Sequence, residues 1–201
     1  MIKAKKDLGQ NFLIDKVALN KIIELINPSN VEHFLEIGPG QGALTKLLTT
    51  KVKRLDAVEL DEDLLLSLRL INSKKLFIHH ENILNFNVNS ILDYEKIRII
   101  GNLPYNISTE IMLWAFDNLR YFEDMHFMFQ KEFGDRLSAK PNSKSYGRIS
   151  VLTQYLTELD RVLYLEPDSF KPKPSVESVF VRFKPIKDRH ILSPTAKKLQ
   201  E

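Results

Sequence analysis

Short apolar stretches alternate with amphipathic ones from residue 15 to residue 130, and a glycine-rich loop, "LEIGPGQGALT" (35–45), joins the first such pair. This alternation constrains the chain more than any other feature. "HFLEIG" (33–38), "LDAVEL" (55–60), "KLFIHH" (75–80), "IRIIG" (97–101) and "MHFMFQ" (125–130) have the length and apolar content of buried strands. Between them, "ALTKLLTTKV" (43–52), "DEDLLLSLRLI" (61–71) and "STEIMLWAFDNL" (108–119) read as helices. A further helix precedes them in "DKVALNKIIELI" (15–26), where Val17, Leu19, Ile22, Ile23 and Ile26 fall near helical spacing and Pro28 is a stop. Repeated units of this kind predict an α/β fold, a mostly parallel sheet with helices on both faces. "RVLYLEP" (161–167) and "VESVFVRFK" (176–184) follow one another without a helix and predict an antiparallel hairpin at one edge.

Composition narrows the class. With 43% hydrophobic and 27% charged residues the chain can bury a core, and the absence of cysteine removes disulfides and the usual ligands of a structural zinc. No apolar run reaches the roughly 18 to 20 residues of a membrane span, and "MIKAKKDLGQ" lacks the apolar stretch of a secretory signal. A cytoplasmic, monomeric protein with no membrane partner is expected. The net charge of +3 is modest, but Lys3, Lys5 and Lys6, then Lys140, Lys144 and Arg148, then Lys171, Lys173, Arg182, Lys184, Lys187 and Arg189 are clustered. Such clusters are either solvated surface or a phosphate-contacting face.

The glycine loop is the first stretch that carries chemistry. Gly38, Gly40 and Gly42 sit between strand and helix, where a missing side chain lets a ligand approach the backbone. Glu59 ends the second strand about 20 residues on, where an acid can accept a ribose hydroxyl. NAD and S-adenosylmethionine both carry that ribose. Glu36 just before the loop suits an ammonium-bearing ligand better than a pyrophosphate, and G-x-G-x-G also leans toward the methyl donor. The fourth strand then runs into "GNLPYNIST" (101–109), at the end of the sheet where ligands bind in such folds. The Asn102 amide oxygen and the Leu103 carbonyl can accept the two N–H groups of an exocyclic amine, Pro104 fixes the direction of the carbonyl, and Tyr105 offers a ring for a base. No base of perturbed pKa is needed before transfer to such an amine.

These motifs, in this order, resemble those of the KsgA-type rRNA adenine N6,N6-dimethyltransferases, relatives of the erythromycin-resistance 23S rRNA methyltransferases. The similarity runs through "LGQNFL" (8–13), "EIGPGQGALT", "VELD" (58–61), "GNLPYNIST", "FQKEFGDRL" (129–137), "SKSYGRISVLTQY" (143–155) and "FKPKPSVESVFVRF" (170–183). It implies a Rossmann-like class I S-adenosylmethionine-dependent methyltransferase fold with a seven-stranded sheet. It also implies S-adenosylmethionine as cofactor, no metal, and dimethylation of two adjacent adenosines in the 3′-terminal hairpin of 16S rRNA in the immature small ribosomal subunit. By the same resemblance Gln10, Asn11 and Leu13 contact the methionine part of the donor, Gly38 and Gly40 form its loop and Glu59 holds its ribose. Asn102, Leu103, Pro104 and Tyr105 hold the target adenine, and Phe170 stacks on its other face. The family usually carries an Asp where this chain has Asn82. Its amide oxygen can still accept from the donor's adenine amine, and Glu81 beside it is the alternative. His79 and His80 read as strand-end residues. The catalytic domain is expected over 1–185. The family's helical C-terminal domain, of about 70 residues, is expected to be represented only by a linker and helix start over 186–201. Three other readings stay open: a 23S rRNA adenine methyltransferase, a non-catalytic ribosome assembly factor that only binds the donor, and a nicotinamide oxidoreductase that binds NAD.

Overall fold

A computed structural model describes residues 4–93, 95–187 and 189. The elements in chain order are β1 (Phe12–Leu13), α1 (Lys16–Ile26), β2 (His33–Ile37), α2 (Ala43–Leu48), β3 (Arg54–Glu59), α3 (Glu62–Arg69), β4 (Leu76–His80), β5 (Ile97–Asn102) and α4 (Ser108–Asp117). They continue with β6 (Phe122–Gln130), α5 (Lys131–Leu137), α6 (Arg148–Leu156), β7 (Thr157–Leu165), β8 (Phe170–Lys171) and β9 (Ser178–Pro185). Each element expected up to residue 130 is present, with ends that differ by a few residues. The expected linker lies mostly outside the described residues. Of it, Ile186 donates its N–H to the Leu156 carbonyl at 2.9 Å, at the end of α6.

Local chemistry explains the element starts. Asp15 caps α1 by accepting from the Val17 and Ala18 N–H groups, and Asn27 closes that helix in a left-handed conformation, which Asn tolerates. Asp61 caps α3 through the Asp63 N–H. α5 and α6, over 131–156, are absent from the elements expected from sequence. The hydroxyl of Ser150 satisfies the Gly147 N–H at the start of α6, and that helix buries Ile149, Leu152 and Leu156.

The main sheet has seven strands in the order β4-β3-β2-β5-β6-β9-β7, with β2 to β6 parallel and β9 antiparallel to both β6 and β7. The antiparallel edge is therefore as expected, with one refinement. β9 fills the position beside β6, and β7 forms the outer edge. Glu158, Asp160 and Arg161 keep that edge charged, which disfavours pairing with another chain. Two apolar cores sandwich the sheet. One is built from α1, α2 and the 34, 55, 100, 128 and 180 positions of the strands, the other from α4, α5, α6 and the turns at 83–91.

The chain leaves β2 toward β3 and β4 on one side and leaves β5 toward β6 on the other. The reversal opens a crevice at the carboxyl ends of β2 and β5. Close packing there depends on Gly101: a Cβ would lie 2.7 Å from Leu103 Cδ2 and 2.9 Å from the Ile37 carbonyl oxygen.

Candidate functional site

A cavity of about 280 Å³ occupies that crevice. Its walls come from four strand ends: Ile37, Gly38 and Gly40 after β2, Val58 to Leu60 at β3, Glu81 to Leu84 after β4, and Asn102 to Ile107 after β5. The N-terminal segment from Asp7 to Phe12 closes it from above. The structure thus gathers Gln10, Asn11, Gly38, Gly40, Glu59, Asn82, Asn102, Leu103, Pro104 and Tyr105 around one space.

Each side chain is held by identifiable contacts. Glu59 is buried; its carboxylate accepts from the Gly40 N–H at 3.1 Å and the Asp61 N–H at 2.9 Å. Burial pushes its pKa upward and these N–H donors pull against that. Gly40 has φ +59°, the left-handed region, and a Cβ there would sit 3.0 Å from the Phe12 ring. The glycine therefore lets the N-terminal segment press onto the loop. At the end of β5, Asn102 donates through Nδ2 to the Asn11 carbonyl at 2.7 Å. Among the described residues no donor reaches the Asn102 Oδ1 or the Leu103 carbonyl, so both remain acceptors. Pro104, with φ −59° and ψ 127°, turns the chain into the short helical turn 105–107. The Tyr105 hydroxyl is bonded to Ser178 Oγ at 2.7 Å, which fixes the ring against β9, and burial pushes its pKa upward.

Several expected roles are changed by these placements. Glu36 does not line the cavity. It lies buried in β2 with Oε2 unpartnered, and burial pushes its pKa up to about 7, with Glu59 adding repulsion. It acts as a buried negative or neutral group behind the loop rather than as a direct ligand of an ammonium. Leu13 is not on the cavity surface because side chains alternate along β1: Phe12 faces the cavity and Leu13 packs into the core with Phe170. Phe170 is 3% exposed and paired across β8 with Leu13, away from the cavity lining. In this structure Phe170 is a core ring and does not line the cavity that holds Asn102 and Tyr105. Gln10 lines the cavity, but its amide is engaged by Asp61 through Nε2 at 2.7 Å and by the Lys5 N–H at 2.8 Å. Asn82 Oδ1 caps the turn at 83–85 by accepting from the Leu84 N–H at 3.0 Å, with Glu81 exposed beside it on the cavity wall.

Phe12 lines the cavity, and Asp61 and Ser178 hold the lining residues Gln10 and Tyr105; local sequence signals single out none of the three. Asp61 stands in the quoted "VELD" and Ser178 in "SVESVF", but their partners are distant in the chain. His79 and His80 are strand-end residues as expected: His79 is bonded to Asp56 at 2.6 Å and His80 to the Leu60 carbonyl at 3.2 Å. Among the described residues no cluster of three or more His, Cys, Asp or Glu is arranged to hold a metal ion, and no helix is long and apolar enough to cross a membrane.

The space fits S-adenosylmethionine by its chemistry: left-handed glycines beside an acidic strand end, an apolar wall of Ile37, Val58, Ile83 and Leu103, and the buried Glu59 carboxylate with spare acceptor capacity for a ribose. Comparisons with known proteins agree. A ribosomal RNA small subunit methyltransferase A of Buchnera aphidicola is 43% identical over 183 residues, covering 90% of this chain and 67% of that protein. Among solved structures, a dimethyladenosine transferase from Plasmodium falciparum superposes with a TM-score of 0.78 at 24% identity, over 88% of this chain and 64% of that one. The 23S rRNA methyltransferase ErmE gives 0.77 at 26% identity, over 94% and 75%. The fold is that of the class I S-adenosylmethionine-dependent methyltransferases. The family model for ribosomal RNA adenine dimethylase matches residues 1–195, so the glycine loop, the acid after it and the Asn-Leu-Pro-Tyr turn all fall inside one continuous match, and the chain belongs to the ribosomal RNA adenine dimethylase family.

Proposed function

We propose that this chain uses S-adenosylmethionine to dimethylate the N6 amines of two adjacent adenosines in the 3′-terminal hairpin of 16S rRNA, within the immature small ribosomal subunit. The chain spans 67% of the length of the Buchnera relative, so the activity and partners of a whole protein are part of this proposal. One observation carries it: Asn102 Oδ1 and the Leu103 carbonyl stand as unpaired acceptors on the wall of the same cavity as Glu59.

The adenine amine is a weak nucleophile because its lone pair is delocalised into the ring. Accepting both of its N–H bonds holds the nitrogen in place, turns the lone pair out of the ring and stabilises positive charge as it develops. S-adenosylmethionine, when bound, supplies a methyl group on a cationic sulfur. Glu59 is set to hold its ribose, Gly38 and Gly40 leave room for it, and Glu81 or Asn82 flanks its adenine. Tyr105 is fixed by Ser178 and offers a ring face to the target base. A base has to leave its stack to enter this cavity, which costs less in a hairpin loop than in a duplex. Lys140, Lys144, Arg148, Lys171 and Lys173 are exposed and suit phosphate contacts, which position RNA without reading its sequence. A monomeric, cytoplasmic enzyme is the matching form.

The decisive experiment supplies the purified chain with labelled S-adenosylmethionine and small subunits lacking the modification, followed by nucleoside mass spectrometry. Dimethyladenosine at adjacent positions is expected. The similarity to ErmE favours one second reading, methylation of 23S rRNA, and transfer to naked 23S RNA but not to immature small subunits would select it. Donor binding without any transfer would leave an assembly factor.

A further inference from the structure

The cavity has two sides, one facing Glu59 and one facing Asn102, and the N-terminal segment is tied to both. On the Glu59 side, Lys5 Nζ lies 2.5 Å from Asp61 Oδ1 and 2.6 Å from Asp63 Oδ2. Gln10 Nε2 donates to Asp61 Oδ2 at 2.7 Å, and Gln10 Oε1 accepts from the Lys5 N–H at 2.8 Å. Asp61 itself is 2% exposed, so it is a buried anchor for an otherwise surface segment. On the other side, Asn102 donates to the Asn11 carbonyl at 2.7 Å and Asn106 donates to the Asp7 carbonyl at 3.4 Å.

A primary amide is nearly symmetrical in shape. Half a turn about its last bond exchanges oxygen and NH2 at little steric cost, so its hydrogen-bond partner decides which end points where. The Asn11 carbonyl is an acceptor and admits only the NH2 end, since the flipped amide would set two oxygens against each other at that 2.7 Å separation. The Asn102 oxygen is thereby turned to the opposite side. A target amine requires that oxygen, because a flipped amide would present hydrogens to a nitrogen that already carries two.

We infer that Asp61 is a positioning residue: by anchoring Lys5 and Gln10 it holds the Asn11 carbonyl against Asn102 and so sets which end of the catalytic amide faces the target amine. The inference rests on the proposed transfer to an exocyclic amine. It adds a physical link between the loop that follows Glu59 and the turn that receives the acceptor base, carried by residues 5–11.

Asp61→Asn keeps an oxygen for the Asp63 N–H that caps α3, but removes the charge that holds Lys5 and sets an NH2 group against Gln10 Nε2. Lys5→Met removes the ion pairs and touches no cap. Both variants are read by kcat at saturating RNA and donor, by donor Kd from calorimetry, and by the side-chain amide NMR signals of Asn102, assigned through their loss in Asn102→Asp. Asp61→Asn is expected to lower kcat about tenfold or more, as small misplacements of a reacting group do, with a smaller change in donor Kd. Lys5→Met is expected to show a lesser loss that Lys5→Arg recovers. In both variants the Asn102 NH2 signals should shift toward those of a free amide. Wild-type turnover in both variants, or unmoved Asn102 signals in both, overturns the inference. If Asp61→Asn fails to fold, Lys5→Met decides by the same two readouts. A wild-type chain that transfers no methyl group to any RNA, while the Asn102 signals respond as expected, refutes the proposed function and leaves the Asp61 link standing.

Discussion

Asp56 and Glu59 lie on the same strand, both buried, and the fold treats them in opposite ways. Asp56 accepts from His33 Nε2 and His79 Nε2, each at 2.6 Å, and from Arg54 through Nε at 2.7 Å and Nη2 at 3.1 Å. Burial alone would raise its pKa, but these donors outweigh it and hold the carboxyl well below the usual carboxylate range. Among the described residues Glu59 receives only backbone N–H groups and pairs with no cation, and burial pushes its pKa upward. Each carboxylate oxygen has room for two hydrogen bonds. The Asp56 carboxylate spends that capacity on its own protein and can do nothing else. Glu59 keeps acceptor capacity at the edge of a cavity. A saturated buried charge holds strands together, whereas an under-satisfied one at a strand end is poised for a ligand.

The largest effect that would test this contrast comes from Asp56→Ala. It leaves Arg54 and two histidines without their shared partner and should cost about 3–5 kcal/mol in denaturant unfolding, with donor affinity unchanged in the fraction that stays folded. A change in donor affinity there, with little loss of stability, would erase the distinction between the two acids. Next in size is Asn102→Ala, expected to lower kcat by about 10² to 10³ with donor Kd nearly constant, since the lost acceptor acts on the developing charge. Near-normal turnover would remove Asn102 from the mechanism.

Glu36 sharpens the comparison through pH. Its folded pKa of about 7 lies above its ordinary 4.5, so between those values the folded state binds more protons than the unfolded state. Stability from this group is full below the ordinary value and is lost as pH rises through about 7. Glu36→Gln should therefore be more stable than the parent at pH 8, by on the order of 3 kcal/mol, and equal to it in acid. His126 works in the other direction: burial lowers its pKa from 6.5 to about 4, so its share is present above the ordinary imidazole range and lost as pH falls toward 4. Melting temperatures from pH 5 to pH 8 separate the two, and a flat difference between Glu36→Gln and the parent would refute the Glu36 effect. The smallest effect is expected from Glu59→Gln. Donor affinity should fall about tenfold by calorimetry, the scale of one lost charge-assisted hydrogen bond, and the melting temperature should fall as well, because the new NH2 group faces either the Gly40 N–H or the Asp61 N–H.

The residues differ in how far they could be read without coordinates. The glycine loop, the acid at the end of β3 and the Asn-Leu-Pro-Tyr turn were legible because each signal is local: a strand period, then a residue type demanded by the turn. α5 and α6 were not, since "KEFGDRL" and "RISVLTQYL" are short and take their burial from contacts with β6, β9 and each other. Phe170 shows the same limit from another direction. Its motif pointed to a stacking ring, and its pairing with Leu13 across β1 and β8 placed that ring in the core. Asp61 could be read as a helix cap, but its hold on Lys5 and Gln10 could not, because those partners lie some 50 positions earlier in the chain.

The sequence by itself determined the alternating α/β order, the strand ends that carry chemistry, and the residue types available there. These follow from periodicity and from the conformations that Gly, Pro and Asn allow. Only the tertiary structure decided which groups keep an unpaired oxygen, which side of β1 meets the cavity, and which end of the Asn102 amide faces outward. Those depend on hydrogen-bond partners brought together across the sheet, where distance in space is unrelated to distance along the chain.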